Sequence, residues 1–421
     1  MVHHFMSTQE VRLSGFLDTQ TGIVLGKERT LHEPLVENSR ENVLLAGPAP
    51  LEKFHSVLYP TALAWKGSAF FLDTPDGMLY ASTAGKRREK FQQETFLFRL
   101  SDDASVRWNP LDEIRWETWE EEEDAKCVAS AILETSEVPF AYSTYALKLL
   151  PAVFRYLYAV RDGEAPVTLQ GAYAFFRQAD EGFLSMRYVP QVSDAAAFYR
   201  GLETYEKEQL KDLLLAVLEP FQKEEVSKAF SSSDFSLRSL LDPQHPFSLY
   251  LALDTENPMV CRFFIQLALE LFTNREPRSD QNPEPHLLIS LDASTRLGKI
   301  PNLELSTMLS AWSGVRYLFS VRDFQAIDRL YGKDSSLASY FDIHVLFAPA
   351  SGNSEQEEAI QRICGKTGRN AWLLPVSDVM HLSRNQEAVV CIAGRLPLLV
   401  DSGSGEREEE EEEPCRKGKC G

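Results

Sequence analysis

NVLLAGPAPLEKF, Asn42 to Phe54, decides how the rest of the chain is read. Four apolar residues, Val43 to Ala46, run into Gly47, and a helix-like stretch follows from about Lys53. That order reads as strand, tight turn, helix. Gly47 and Lys53 also stand at the separation of a phosphate-binding loop, G-x4-G-K-[ST]. In such a loop the glycines let backbone N–H groups curl around phosphate, the lysine reaches the β and γ oxygens, and the hydroxyl holds magnesium. Two positions depart from it: Glu52 replaces the second glycine and Phe54 the hydroxyl. Glu52 places a negative side chain where a polyanion would sit, and Phe54 cannot coordinate a metal.

Outward from this stretch, apolar runs alternate with helix-length segments. GSAFFLDT (67–74) and TFLFRL (95–100) follow it, separated by helices expected at Lys53 to Ala64 and Met78 to Arg88. The alternation resumes late in the chain with FSLYLALD (247–254), a helix from about Val260 to Phe272, HLLISLD (286–292), RYLFSVRD (316–323) and FDIHVLFA (341–348). EAVVCIAG and LPLLVD close the ordered region, with Gly394 to Leu396 turning a hairpin. This alternation predicts an α/β fold with a mostly parallel sheet covered on both faces. Before it, VRLSGFLDT (11–19) and GIVLG (22–26) read as short lead-in strands.

Between these halves the pattern is helical only. Glu120 to Asp124 open a helix, acidic residues suiting the positive end of its dipole. Apolar residues recur at helical spacing through Tyr145 to Tyr158, Val192 to Leu202 and Leu210 to Phe221, and SSSDF (231–235) marks the return. The expected organisation is 1–117 and 233–402 as two parts of one α/β domain, 118–232 as an all-helical insertion, and 403–421 as a disordered acidic tail.

Composition bounds the function. The chain has 421 residues, 44% hydrophobic and 25% charged, which is ordinary for a folded protein of this length. A formal net charge of -19 opposes strong, general binding to nucleic acid. GKRREK (85–90) is the one dense basic stretch and reads as a solvated helix end. The N-terminus is no signal peptide, and the best apolar run, Leu147 to Tyr158, is broken by Pro151 and Arg155, so no membrane-spanning helix is expected. Cys127, Cys261 and Cys364 read as buried thiols. Cys415 and Cys420 form C-x4-C without a histidine beside them, a poor zinc site.

Few side chains remain for chemistry. Asp292 ends an apolar strand, where such folds place a metal-holding carboxylate, and it equally suits a cap. Asp73 ends another strand. His286 and His344 have structural positions, and no H-E-x-x-H, G-x-S-x-G or C-x-x-C occurs. Trp108, Trp116 and Trp119 flank NPLDEI and are expected to pack at the junction with the helical segment.

Taken in order, NVLLAGPAPLEKF, SVLYPTALAWKGSAFFLDTPDG, TAGKRR, RWNPLDEI, the run from Leu287 to Gly332 and FDIHVLFAP resemble the TraG/TraD-like coupling proteins of conjugative DNA transfer. The resemblance covers about residues 12 to 400. It implies a RecA-like P-loop NTPase fold with an inserted all-helical domain, normally anchored by membrane helices and assembled as hexamers. The chain departs at the positions that carry the chemistry. The family's GPTGSGK[TS]-like loop is GPAPLEKF, its Asp-Glu pair is Asp292-Ala293, its DPKGE-like segment is DTPDG, and Arg322 replaces the usual glutamine.

The expectation is therefore a catalytically degenerate adaptor or accessory component of a type IV secretion or conjugation system. It would be cytoplasmic, or held at the inner face of the membrane by partners, and would contact secretion proteins through its helical insertion or acidic tail. Gly47, Lys53, Asp292 and Arg322 mark a vestigial nucleotide site; ATP with magnesium is left open there, no other metal is expected, and oligomerisation stays open. Two readings compete with this one. The first is an atypical ATPase motor that completes its site between subunits; the second is a scaffold unrelated to transfer.

Overall fold

The computed structural model describes residues 4–102, 104–136, 140–163, 166–273, 284–292, 294–367 and 371–403. The expected acidic tail, with Cys415 and Cys420, lies outside them, as does Ala293. Strands form at β1 (Ile23–Glu28), β2 (Pro34–Glu37), β3 (Val43–Ala46), β4 (Ser68–Asp73), β5 (Thr95–Phe98) and β6 (Ser248–Ala252), then at β7 (Leu287–Leu291), β8 (Val315–Val321), β9 (Ile343–Leu346), β10 (Glu387–Ile392) and β11 (Leu398–Asp401). Contacts divide the chain into two compact units, a smaller one of 1–38, 46–64 and 344–421 and a larger one of 39–45 and 65–343.

In the larger unit the strand order is β3-β8-β7-β4-β6-β5. The pairs β8–β7, β7–β4, β4–β6 and β6–β5 are all parallel. Every residue of β4, β6, β7 and β8 is buried, which is why these strands read as unbroken apolar runs rather than alternating ones. Parallel strands need crossovers, and the helices Met78–Phe91 and Pro258–Thr273 supply two of them. The second is almost wholly buried, and its Phe264 meets Trp108 at 4.4 Å and Phe98 at 5.1 Å between ring centroids.

From Glu121 to Ala229 the described residues form helices and no strand. The chain enters and leaves this helical segment through one stitched neck. Arg107 N–H donates to Asp234 Oδ2 at 2.7 Å, and Asp234 N–H returns to the Arg107 carbonyl at 2.9 Å. Trp108 N–H donates to the Ala229 carbonyl at 2.8 Å, and the Ser233 hydroxyl to Asp112 Oδ2 at 2.7 Å. WNPLDEI is therefore the knot that closes the helical segment. Of the three tryptophans, Trp108 is fully buried there and Trp116 stacks on Tyr158 at 4.1 Å, but Trp119 is 81% exposed and does not pack.

In the smaller unit β2, β1, β11 and β10 pair antiparallel in that order, with β9 beside β10. The hairpin expected between EAVVCIAG and LPLLVD is the β10–β11 pair. The lead-in differs from expectation: Thr8–Leu13 is a helix, so VRL is not a strand. Ser7 caps it by accepting from Glu10 N–H, and the Glu10 side chain accepts from Ser7 N–H. This reciprocal capping box is written in STQE, a local signal that outweighs the β-branched look of the next residues.

The basic stretch also differs. Arg87 is not solvated but fully buried. Its guanidinium donates to the carbonyls of Trp65 (2.7 Å) and Gly67 (3.2 Å), to Gln93 Oε1 (3.0 Å) and to Ser248 Oγ (2.8 Å). Helical spacing puts Arg87 on the inner face, while Lys86, Arg88 and Lys90 stay exposed.

Candidate functional site

The loop after β3 is where phosphate chemistry would begin. Gly47 is needed for close approach, because a Cβ added there would lie 2.5 Å from Phe347 Cβ. Beyond it the backbone takes a shape unlike a phosphate cradle. Ala49 caps a helix that starts at Pro50, so residues 50 to 53 are already helical. Pro48 and Pro50 carry no N–H, and the Lys53 N–H is spent on the Ala49 carbonyl at 3.3 Å. Lys53 is only 6% exposed. Phe54, at the hydroxyl position, is buried and opens a π-helical turn, Phe54–Leu58. Burial pushes the Glu52 carboxyl above its ordinary range. These residues do not fit a magnesium–polyphosphate group: amides are missing, the cation is covered and the hydroxyl is an aromatic ring.

The other candidates lie in the larger unit, at the ends of adjacent parallel strands. Asp73 ends β4, Asp292 follows β7 and Arg322 follows β8. The register, Leu72 beside Leu291 and Leu291 beside Phe319, brings all three to one edge of the sheet. This is the carboxyl edge, where open α/β sheets bind ligands. Gly47 and Lys53 belong to the smaller unit.

Of the three edge residues, Asp73 has a clear local role. Asp73 is a helix cap, accepting from Thr74 N–H (2.7 Å), Leu79 N–H (2.9 Å) and Tyr80 N–H (2.7 Å). Burial raises its carboxyl above the usual range against the opposing pull of these amides. Gly77 opens the capped helix at φ 72°, and the Arg99 guanidinium lies against it, so an added Cβ would meet Arg99 Nη2 at 2.3 Å. Asp292 is half-buried. Arg322 is exposed, and its neighbour Asp323 caps the helix Phe324–Tyr331 by accepting from Ala326 N–H at 2.8 Å. His344, partly buried in β9, has its pKa lowered to about 4 by desolvation, which suits a structural neutral ring. No group of three or more His, Cys, Asp or Glu residues is placed to hold a metal ion among the described residues.

Two features escaped the sequence reading. Glu113, in NPLDEI, is buried and accepts from Trp108 Nε1 (2.9 Å), Leu237 N–H (2.6 Å) and Ser236 Oγ (2.9 Å). Its partners are more than 120 residues apart along the chain from one side of the neck to the other, so no local pattern announces it. A cavity of about 510 Å³ opens between the helices Glu121–Thr135, Phe140–Val160 and Pro258–Thr273, lined by Cys127, Lys148 and Glu270 among others. Burial, then the charge of Glu134, push the Glu270 carboxyl up to about 8.

No helix among the described residues is long and apolar enough to cross a membrane. The plasmid coupling protein TrwB in complex with ADP and Mg2+ matches with a TM-score of 0.73 at 15% identity, over 96% of this chain and 94% of that one. That likeness shows a shared RecA-like fold. Two Escherichia coli proteins, both named conjugal transfer protein TraG, are 26% and 25% identical over 382 and 356 residues, or 83% and 78% of this chain. The chain spans 59% and 55% of the length of those relatives. Residues 5–385 match the family described as type IV secretory system conjugative DNA transfer, and the chain belongs to that family.

Proposed function

We propose that this chain is a catalytically degenerate coupling-protein relative that serves a conjugative transfer or type IV secretion system as an adaptor or accessory component. The observation that carries the reading is the loop after β3, where helix begins at Pro50, two amides are replaced by prolines and Lys53 is covered. Phosphoryl transfer depends on positioning and electrostatics, and a loop without its cradle, magnesium ligand and exposed lysine supplies neither. The fold is then kept for its surfaces. Partner proteins dock on the helical segment or the acidic tail, and they hold the chain at the cytoplasmic face of the membrane.

Calorimetric titration with ATP and magnesium tests this, with Lys53→Ala as control. The expected result is no saturable binding up to millimolar nucleotide. Saturable binding abolished by Lys53→Ala, with hydrolysis that also depends on Asp292, would overturn it in favour of a motor completing its site between subunits.

A further inference from the structure

We propose that Cys364 and Cys391 are a latent disulfide, closed by peroxide, that staples the end of the helix Ser354–Cys364 to β10. Their Sγ atoms lie 3.7 Å apart, and both thiols are free. The other two buried thiols have no such neighbour to pair with. Cys127 faces the Glu270 carboxyl, and Cys261 accepts from Asp254 N–H at 3.3 Å. Among the described residues, proximity of two sulfurs is thus particular to this pair.

The local geometry favours closure. A disulfide has its sulfurs about 2.05 Å apart, so they must approach by roughly 1.6 Å. Cys364 is the last residue of its helix, and Gly365 follows at φ 81°, a hinge with no side chain to resist a small shift. Cys391 is held in the strand, so the helix end moves to it. Cys364 and Cys391 are 4% and 8% exposed, which admits a reagent the size of hydrogen peroxide and disfavours bulky ones. The contact with Cys364, and burial, push the Cys391 thiol up, which disfavours its thiolate and slows its attack on an oxidant.

The chemistry balances with peroxide as the sole oxidant. One thiolate attacks a peroxide oxygen; an S–O bond forms, the O–O bond breaks, and the departing hydroxide leaves as water with the proton that thiol gave up. The second thiol then attacks the sulfenic sulfur; the S–S bond forms, the S–O bond breaks, and a second water leaves with its proton. Two thiols are oxidised and one peroxide is reduced. The closed loop contains the helix Val376–Asn385 and Leu374, whose carbonyl accepts from Gln361 Nε2 just before the loop at 3.1 Å, so oxidation would restrain that corner of the smaller unit.

The test uses the full chain, folded and reduced, treated with hydrogen peroxide, alkylated, digested without reductant and mapped by mass spectrometry. The expected product is a peptide pair linked through Cys364 and Cys391, absent after dithiothreitol and retained in a Cys415→Ser, Cys420→Ser variant. Tm should rise on oxidation, and amide exchange across 365–386 should slow several-fold. Recovery of Cys364 and Cys391 as alkylated thiols or as sulfinic acids, with no linked peptide, would overturn the proposal. Because the wild-type map reads the linkage directly, the result does not depend on whether Cys364→Ser or Cys391→Ser folds. It is also independent of the nucleotide reading.

Discussion

The Trp108 indole N–H donates to Glu113 Oε1 at 2.9 Å, and the same carboxylate accepts from the far side of the neck at Leu237 N–H, 2.6 Å away. One buried side chain thereby ties the start of the helical segment to its end. Beside it Asp124 sits between Arg115 (2.7 Å) and Arg238 (2.5 Å), a second tie of the same kind. Burial raises the Asp124 carboxyl, but the Arg115 hydrogen bonds and the Arg238 charge outweigh it and hold it below the ordinary range.

Glu113→Ala should be severely destabilising, by about 3 kcal/mol, because it orphans an indole N–H and a backbone N–H in a dry site. Glu113→Gln keeps the shape and should cost less. Urea denaturation measures both, and equal stability of Glu113→Ala and the wild type would show the neck to be dispensable.

Arg87 makes a second case. Arg87→Met should cost about 2–4 kcal/mol, since the carbonyls of Trp65 and Gly67 lose their donor inside the fold. The adjacent exposed Arg88→Met should change stability by less than about 0.5 kcal/mol. Thermal melts of the pair distinguish a structural arginine from a surface one.

Two glycines should respond in opposite directions. Gly47→Ala drives a Cβ to 2.5 Å from Phe347 Cβ and should destabilise by about 1–3 kcal/mol. Gly85, exposed in the helix Met78–Phe91, has nothing within 4 Å of an added Cβ, so Gly85→Ala should stabilise by about 0.5–1 kcal/mol. Denaturation midpoints of the two variants check this.

Glu270 gives stability a pH dependence. Its folded pKa, about 8, lies above the ordinary carboxyl value, so the folded state binds more protons between about pH 4.5 and 8. The contribution is fully present below about pH 4.5 and is lost as pH rises through 8, at no more than about 1.4 kcal/mol per pH unit. Gln266 Nε2 bridges Glu134 Oε2 (2.7 Å) and Glu270 Oε1 (3.0 Å), so the neutral Glu270→Gln should be accommodated. Its stability profile should be flatter from pH 5 to 8 than that of the wild type, measured by chemical denaturation at fixed ionic strength.

Much of the fold was legible because buried parallel strands advertise themselves as unbroken apolar runs. SAFFLD, LLISL and VRYLFSV each became a strand whose every residue is buried. The candidate site was legible only as an address: Asp73 and Asp292 were placed at strand ends by the runs before them, and Arg322 by the family resemblance. Their surroundings were not legible. Asp73 is filled by three backbone amides, and Arg87 looked like part of a solvated charge run until helical phase and the carbonyls of Trp65 and Gly67 turned it inward.

By itself, then, the sequence determined the alternation of strands and helices, the helical segment between them and the residues missing from the phosphate loop, since each depends on local period or residue identity. Only the tertiary structure decided which charges are buried, that NPLDEI knots the neck, that Lys53 is covered, and that Cys364 and Cys391 touch. Those facts join residues remote in sequence, and their energies come from desolvation and hydrogen bonds that exist only once the chain has brought the partners together.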